Sequence, residues 1–437
     1  MNRRQLLALL ATPALAALLH ACGSDEARSR EDRGGDPSRD PSSDPDAAGL
    51  ARSSVPRTSV GAAEAAAASA AIERFGIDLY RRLAAASPGN VVVSPVSIAT
   101  ALTMVLAGAR GATSEEMVRT LRIEDPSTIH RAMNALTAEL ARRSSGEVTL
   151  AVSNSLWAQR GLAIESPFLD TLAAEYGSGL QLVDYVGDPD GARIVINDWV
   201  DDQTEGRIPE LLADGAITPD ARLTVVNAVY LKAPWLVQFD PAATRPGPFT
   251  TTGGETVEVP MMTMVEPLPY AAGDGWQAVE LPYVGGGLAL LLLLPEPDFL
   301  HDFEQIFLLT DATNYLAPAE VRLTMPRFDI ESALPLGDLL QTLGMQAAFT
   351  DDADFSGITV QEPLKIGAVI HQANITVDEA GTEAAAATAV IMETAAAPAD
   401  PAEPVEVRLD RPFVFALRDT TTGALLFLGR VGAPAGA

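Results

Sequence analysis

The order of the hydrophobic patterns along the chain constrains its fold more than any other feature. Up to about residue 212 most segments follow the helical period, as in the alanine-rich stretch 62–86. From residue 223 onward the apolar runs are short and follow strand patterns. The predicted strands cover residues 223–231, 256–264, 276–283, 288–294, 320–330, 368–377 and 412–431, with one helix near 336–343. Helices first and strands later predict an α+β fold.

One segment gives the clearest strand signal. Residues 288–294 are uniformly apolar, which is typical of a strand that is buried on both faces. Gly285, Gly286 and Gly287 separate it from the strand before, and they predict a hairpin turn.

Composition excludes several classes of function. The 437-residue chain carries a net charge of −28, and such a surface repels phosphate, so nucleic acid is not an expected partner. Cys22 is the single cysteine, which excludes an intrachain disulfide and thiolate metal sites. Hydrophobic residues make up 47% of the chain, enough for a sizeable core.

The N-terminus has the pattern of an export signal. Arg3 and Arg4 precede an apolar stretch, 6–19, that is too short to span a bilayer comfortably. The stretch leads into Leu19-His20-Ala21-Cys22, a sequence that resembles the bacterial lipoprotein cleavage box. We therefore interpret residues 1–21 as a signal peptide and Cys22 as the lipidated first residue of a protein anchored at the cell envelope or cell surface. The alternative is an ordinary secretory signal with a stray thiol; the paired arginines also resemble a twin-arginine signal.

The next stretch does not have the composition of a folded segment. Residues 23–60 are rich in Asp, Arg, Ser, Pro and Gly, and they contain too little apolar surface to offset the entropy of ordering. This predicts a flexible tether over residues 22–61 and a folded domain over residues 62–437.

The residues of familiar enzyme sites are missing from the sequence. After the signal peptide there are three histidines, His130, His301 and His371, and none has the spacing of a metal ligand. No nucleophile elbow or phosphate-binding glycine loop is present. The acidic run 351–354 lacks the spacing of a calcium loop and is better interpreted as a solvated loop. An enzyme is therefore disfavoured, and neither a metal nor a cofactor is expected.

The segment 378–397 supports two interpretations. Its alanines predict a helix by propensity alone. Every second residue from Thr382 to Thr394 is uncharged, whereas the intervening residues include Glu383 and Glu393. A strand with one buried face and one solvated face has this pattern, and Glu383 would then face solvent. The Pro-rich stretch 398–404 that follows is expected to be exposed and cleavable.

The same segment carries a family resemblance. Residues 378–388, DEAGTEAAAAT, closely resemble the reactive-loop hinge of inhibitory serpins. Further blocks resemble serpin motifs in the same order along the chain, over roughly residues 71–432: 90–99, 196–200 with 204–208, 226–235, 259–262, 410–415 and 426–431. The chain is therefore identified as a member of the serpin family.

The resemblance implies a fold and a mechanism. Serpins have a large central β-sheet, smaller sheets, about eight or nine helices and an exposed reactive loop. A target protease attacks the loop and forms an acyl-enzyme, and the cleaved loop then enters the central sheet and traps the protease covalently, one to one. The expected function is suicide-substrate inhibition of a serine protease, or alternatively of a cysteine protease, by a monomer that needs no cofactor.

The resemblance also assigns residues to roles. The hinge comprises Glu379, Gly381, Thr382, Glu383, Ala384, Ala385, Ala386, Ala387 and Thr388. The usual family spacing places the scissile bond at Ala395–Ala396, and a small residue there suits an elastase-like or subtilisin-like protease. The stretch that follows is about six residues longer than is usual in the family, so Thr394, Ala396 and Met392 stay as alternatives for the residue before the cut.

Two polar clusters complete the assignment. Ser94, Ser97, Asn227 and His371 match the shutter, a buried cluster beneath the point where the sheet opens, and we expect them to hydrogen-bond to one another. Trp235, Arg327 and Glu379 match the breach, where the loop first enters the sheet. A non-inhibitory serpin that serves as a surface binding module is the main alternative, and an acidic-site hydrolase is the other.

Overall fold

The computed structural model describes residues 49–204, 206–307, 309–383 and 403–434. Nine α-helices occur within these ranges. They are α1 Ala66–Ala86, α2 Pro95–Leu106, α3 Gly111–Thr120, α4 Ile129–Ala141, α5 Ser166–Thr171, α6 Pro189–Gln203, α7 Leu300–Ile306, α8 Leu309–Thr313 and α9 Gly337–Thr342. Within the described ranges none of these helices combines the length and the hydropathy needed to cross a bilayer.

Helix α2 forms the centre of the helical half. Ser94 caps its N-terminus by accepting a hydrogen bond from the backbone N–H of Ser97, and Pro95 occupies the first helical position, where its missing N–H costs nothing. All twelve residues of the helix are buried. Most of them are apolar, and the hydroxyls of Thr100 and Thr103 donate to backbone carbonyl oxygens four residues earlier in the helix.

The strands form two sheets. They are β1 Leu50–Ala51, β2 Val91–Val93, β3 Thr149–Gln159, β4 Leu180–Val183, β5 Leu223–Pro234, β6 Arg245–Thr250, β7 Thr256–Gly273, β8 Trp276–Pro282, β9 Leu288–Pro295, β10 Ala317–Pro326, β11 Phe328–Pro335, β12 Ala368–Val377, β13 Gly381–Thr382, β14 Val405–Arg408, β15 Phe413–Asp419 and β16 Leu425–Val431. The α+β prediction is confirmed. Strand β9 is buried at every position, as its uniform apolar sequence predicts.

We call the seven-stranded sheet the central sheet; its order is β1-β4-β3-β5-β13-β12-β11. Its middle is formed by β5 and β12, which are parallel and pair directly from Thr224 and Ala368 onward. The nine-stranded second sheet has the order β14-β10-β7-β8-β9-β15-β16-β2, and β6 pairs with β7. The 18-residue strand β7 joins its parts, because it pairs with β6, β10 and β8 along its length.

The short strand β13 lies between β5 and β12 at one end of the central sheet. It is antiparallel to both neighbours: Thr382 is level with Ala233 of β5 and with Val377 of β12. We call this the hinge end of the sheet. The opposite end, where Leu223 accepts a hydrogen bond from the backbone N–H of Gly367, is called the far end.

Two secondary-structure predictions were wrong in detail. Most of the stretch before residue 212 was predicted to be helical, yet it contains β3 and β4 of the central sheet. Residues 320–330 were predicted to form one strand, but the chain leaves the second sheet at Pro326 and enters the central sheet at Phe328. Arg327 is the connecting residue.

The tether prediction was wrong for residues 49–61. Strand β1 pairs with β4, so it extends the central sheet by one strand. Arg57 then hydrogen-bonds to the side chains of Asn134 and Thr137 on α4, at 2.8 and 2.7 Å. Backbone and side-chain hydrogen bonds supply the order that the composition of this stretch does not predict, and the domain therefore begins before residue 62.

Candidate functional site

A buried polar cluster crosses the middle of the central sheet beneath the N-terminus of α2. His371 of β12 and Asn227 of β5 are neighbours across the parallel pair, and His371 Nδ1 contacts Asn227 Oδ1. His371 Nε2 accepts a hydrogen bond from the backbone N–H of Ser94 at 3.0 Å. Ser97 joins the cluster through its backbone N–H, which donates to Ser94 Oγ at 3.4 Å. The four residues assigned to the shutter are thus in contact, as predicted.

These contacts fix the protonation state of His371. A backbone N–H can only donate, so Nε2 must be unprotonated, and the ring proton resides on Nδ1 and is donated to Asn227 Oδ1. Complete burial lowers the pKa of His371 to about 3, because the imidazolium would lose its hydration. The cluster therefore requires a neutral histidine.

Acid should weaken the folded state through His371. Between its unfolded pKa of about 6.5 and its folded pKa of about 3, the unfolded chain binds the extra proton, so stability falls as the pH falls. We expect this group to remove about 2 kcal/mol of the free energy of unfolding between pH 8 and pH 5. Urea unfolding of the wild type and of His371→Gln at both pH values measures the difference.

The glutamine variant is a matched control because its amide can accept and donate as the neutral imidazole does. Burial also lowers the pKa of His130. Because His130 is present in both proteins, its contribution cancels from the comparison. Equal pH dependence in the two proteins would contradict the role given to His371.

Sequence reasoning missed one member of this cluster. Asn154 of β3 is level with Asn227, and its Oδ1 accepts a hydrogen bond from Ser97 Oγ at 3.1 Å. Asn154 lies in the stretch predicted to be helical, so its position beside Asn227 was not foreseen. The signal that was available is the recurrence of Leu150, Val152 and Leu156 at even positions, with small residues at the odd positions between them.

A second cluster closes the hinge end of the central sheet. The rings of Trp235 and Tyr283 stack with centroids 4.5 Å apart. Trp235 Nε1 donates a hydrogen bond to the carbonyl oxygen of Asp378 at 2.9 Å. The backbone N–H of Trp235 donates to the carbonyl oxygen of Ala380, also at 2.9 Å. The hydroxyl groups of Tyr283 and Thr382 are 2.6 Å apart, and burial raises the pKa of Tyr283. Trp235 is thus placed against the hinge, where the family assignment expects it.

Arg327 and Glu379 form the ion pair that the sequence predicted at this end. Arg327 donates from Nε and Nη2 to Glu379 Oε1, at 2.9 and 2.7 Å. Thr244 Oγ1 donates to the same oxygen. Burial by itself raises the pKa of Glu379, but the hydrogen bonds from Arg327 and Thr244 outweigh it and the net pKa is lowered. The carboxylate is therefore charged at neutral pH.

The start of the hinge already occupies a slot in the central sheet. Gly381 pairs with Pro234 and has a φ of +155°, and a Cβ at this position would lie 2.2 Å from the carbonyl oxygen of Ala233. Only glycine fits such a close approach. Thr382 is 1% exposed and lies between β5 and β12. The backbone N–H of Glu383 still bonds to Thr376 of β12, at 3.1 Å.

The predicted orientation of Glu383 was wrong. Its side chain is 3% exposed, and Oε2 lies 3.3 Å from Nε of Arg207. Arg207 belongs to the connection between α6 and β5, which reaches the hinge at this point. The period-2 pattern cannot predict this contact, because it describes the two faces of a strand and not what covers them.

A comparison with protein families then identifies the chain. The model of one family, described as "Serpin (serine protease inhibitor)", matches residues 70–434. The chain belongs to the serpin family.

Two relatives and one solved structure illustrate the similarity. An uncharacterized serpin-like protein of Thermococcus kodakarensis is 39% identical, over 83% of this chain and 85% of its own. The leukocyte elastase inhibitor of Bos taurus is 37% identical, over 84% of this chain and 99% of its own. The crystal structure of maspin aligns with a TM-score of 0.78 and 26% identity, over 85% of this serpin and 100% of that chain.

Several assigned residues of this serpin lie outside the described ranges. They are Cys22, the hinge residues Ala384, Ala385, Ala386, Ala387 and Thr388, and the reactive-bond residues Ala395 and Ala396. Their roles stay predictions. Within the described ranges, no three His, Cys, Asp or Glu side chains are placed to hold a metal ion.

Proposed function

We propose that this serpin inhibits serine proteases by suicide-substrate trapping, in which the cleaved reactive loop enters the central sheet between β5 and β12. The observation that carries the proposal is the placement of Gly381 and Thr382. Both residues pair with β5, and Thr382 also pairs with Val377 of β12, in the antiparallel direction that an inserted strand would continue.

The sequence of the next residues supports continued insertion. Ala384, Ala385, Ala386 and Ala387 follow Glu383, and Thr388 follows them. Small, uncharged side chains can enter a closed sheet without burying an unpaired charge or forcing neighbouring side chains apart. Bulky or charged residues at these positions would oppose insertion.

The energy of insertion is large enough to trap an enzyme. Roughly a dozen residues would gain ladder hydrogen bonds worth about 0.5–1.5 kcal/mol net each, so the total is on the order of 10 kcal/mol. This equals the stability of an ordinary domain. Such a gain can drive distortion of the protease active site before water releases the acyl-enzyme.

We further propose Ala395–Ala396 as the scissile bond and an elastase-like or subtilisin-like protease as the target. A shallow specificity pocket accepts a small side chain such as that of Ala395. The similarity to leukocyte elastase inhibitors supports this class of target. We also propose that the protein is exported to the cell envelope, that Cys22 is lipidated, and that the inhibitor acts as a monomer.

Incubation of the chain from Cys22 onward with pancreatic-type elastase and with subtilisin tests the proposal. The expected result is a covalent complex that survives SDS, with a released C-terminal fragment that begins at Ala396 by mass spectrometry. Protease whose catalytic serine has been blocked beforehand is the control and should give no complex.

Clean cleavage without a complex by both proteases would reject trapping. It would favour the alternative of a non-inhibitory serpin that acts as a surface binding module.

A further inference from the structure

The chain enters the central sheet at the end opposite to the hinge. The carbonyl oxygen of Gly49 accepts a hydrogen bond from the backbone N–H of Leu182 at 2.8 Å. Leu182 is level with Ala158 of β3, which is level with Leu223 of β5. Gly49 therefore lies at the far end, ten residues along β5 from Ala233, or about 33 Å at ~3.3 Å per residue.

This entry point is held by more than the two-residue strand β1. Ser53 Oγ donates to Asp170 Oδ1 at 2.5 Å. The backbone N–H of Thr58 donates to the carbonyl oxygen of Ala174 at 2.7 Å, and Arg57 bonds to Asn134. Residues 49–58 are thus attached to the domain at several points, and the covalent connection to the preceding residues is made at the far end.

The register of β13 shows where an inserted loop would end. Thr382 is level with Ala233 on one side and Val377 on the other, and both neighbours run antiparallel to it. If the pairing continues without a bulge, Met392 reaches the level of Leu223 on β5 and of Gly367 before β12. These two residues are indeed neighbours, since the N–H of Gly367 bonds to Leu223. Ala395 would then lie three residues beyond the far end.

We propose that the trapped protease and the membrane attachment of this serpin lie at the same end of the central sheet, and that residues 23–48 are a spacer whose length provides room for the protease. Before cleavage the hinge end, and with it the start of the reactive loop, is directed away from the attachment. Insertion brings the protease, bound to Ala395, to the far end. This inference rests on the proposed function and on attachment through Cys22.

The sizes of the parts agree with this role. A protease of about 270 residues has a diameter of about 45–50 Å. Residues 23–48 span at most about 90 Å when extended, and a random coil of that length has a root-mean-square span of about 30 Å. The spacer can therefore extend far enough to admit a protease between the domain and a bilayer, whereas two or three residues cannot.

Shortening the spacer on a membrane tests the inference. Cys22 is the only cysteine, so the chain from Cys22 onward can be coupled to a maleimide lipid in phosphatidylcholine vesicles, whether or not it is lipidated in nature. Subtilisin is the probe, and the measured quantity is the number of inhibitor molecules consumed for each protease molecule trapped. On vesicles, deletion of residues 24–47 should raise this number by about fivefold or more. The reason is that the bilayer would leave no room for the protease at the far end, so insertion could not be completed. Mass spectrometry should show the extra molecules as cleaved inhibitor.

Two controls separate this inference from the proposed function. The same deletion in solution should trap subtilisin as well as the full chain does, because no bilayer is present. A Gly-Ser segment of the original length should restore trapping on vesicles. Equal trapping by the short and full chains on vesicles would overturn the inference and leave the proposed function intact, whereas absence of trapping in solution by either chain would overturn the proposed function itself.

Discussion

Replacing Thr382 with arginine is expected to convert the inhibitor into a substrate. Thr382 is 1% exposed and lies between β5 and β12, with its hydroxyl 2.6 Å from that of Tyr283. An arginine would bury an unpaired charge at this position in the intact protein already, so we expect it to drive β13 out of the sheet. Returning the arginine to the sheet during insertion then costs several kcal/mol and slows insertion relative to deacylation. We expect SDS-resistant complex with subtilisin or elastase to fall by at least about tenfold, because a penalty of ~1.4 kcal/mol on the insertion barrier already changes the rate tenfold.

Thr382→Ser is the matched control for this change. It keeps a hydroxyl that can meet Tyr283 and adds no bulk, so it should trap proteases as the wild type does. Unchanged complex formation by Thr382→Arg, judged by gel densitometry at equal protease, would reject insertion as the trapping step.

Cleavage of the reactive loop should stabilise the protein by a large margin. If insertion adds on the order of 10 kcal/mol, a domain of about 370 residues should gain roughly 10–15 °C in melting temperature, since its entropy of unfolding is about 0.8 kcal/mol/K. Differential scanning calorimetry of the intact protein and of the protein nicked at the loop measures this shift directly.

The same arginine variant supplies the control for the stability measurement. Nicked Thr382→Arg should melt close to its intact form, because its loop is cut but does not insert. If the nicked wild type also melts with its intact form, the loop has stayed outside the sheet, and the surface binding module becomes the better account.

Strongly apolar elements of the fold could be predicted from the sequence. Strand β9 is apolar at every position, and it is buried throughout as its sequence predicts. Strand β3 could not be assigned with the same ease, because its mixed residues fit a helix and a strand almost equally and pairing with β5 decides between them. The split at Arg327 has a similar cause, since a single residue separates strands that belong to different sheets.

For the candidate site, the family motifs predicted the residues but not all of their surroundings. The contact of His371 with Asn227 and the pair of Arg327 with Glu379 are present. The contact between Glu383 and Arg207 was missed, because it depends on how the connection after α6 crosses the sheet. Contacts made by such connections depend on tertiary structure, which leaves no periodic trace in the sequence.

The parallel pairing of β5 with β12 affects the free energy of adding a strand to the central sheet. Six residue pairs, from Ala368 with Thr224 to Ala373 with Val229, join these strands. A strand that entered between them would replace this one parallel ladder with two antiparallel ladders, and antiparallel pairing is somewhat more stable per residue. If the loop inserts as proposed, the exchange of ladders therefore adds to the free energy that insertion releases.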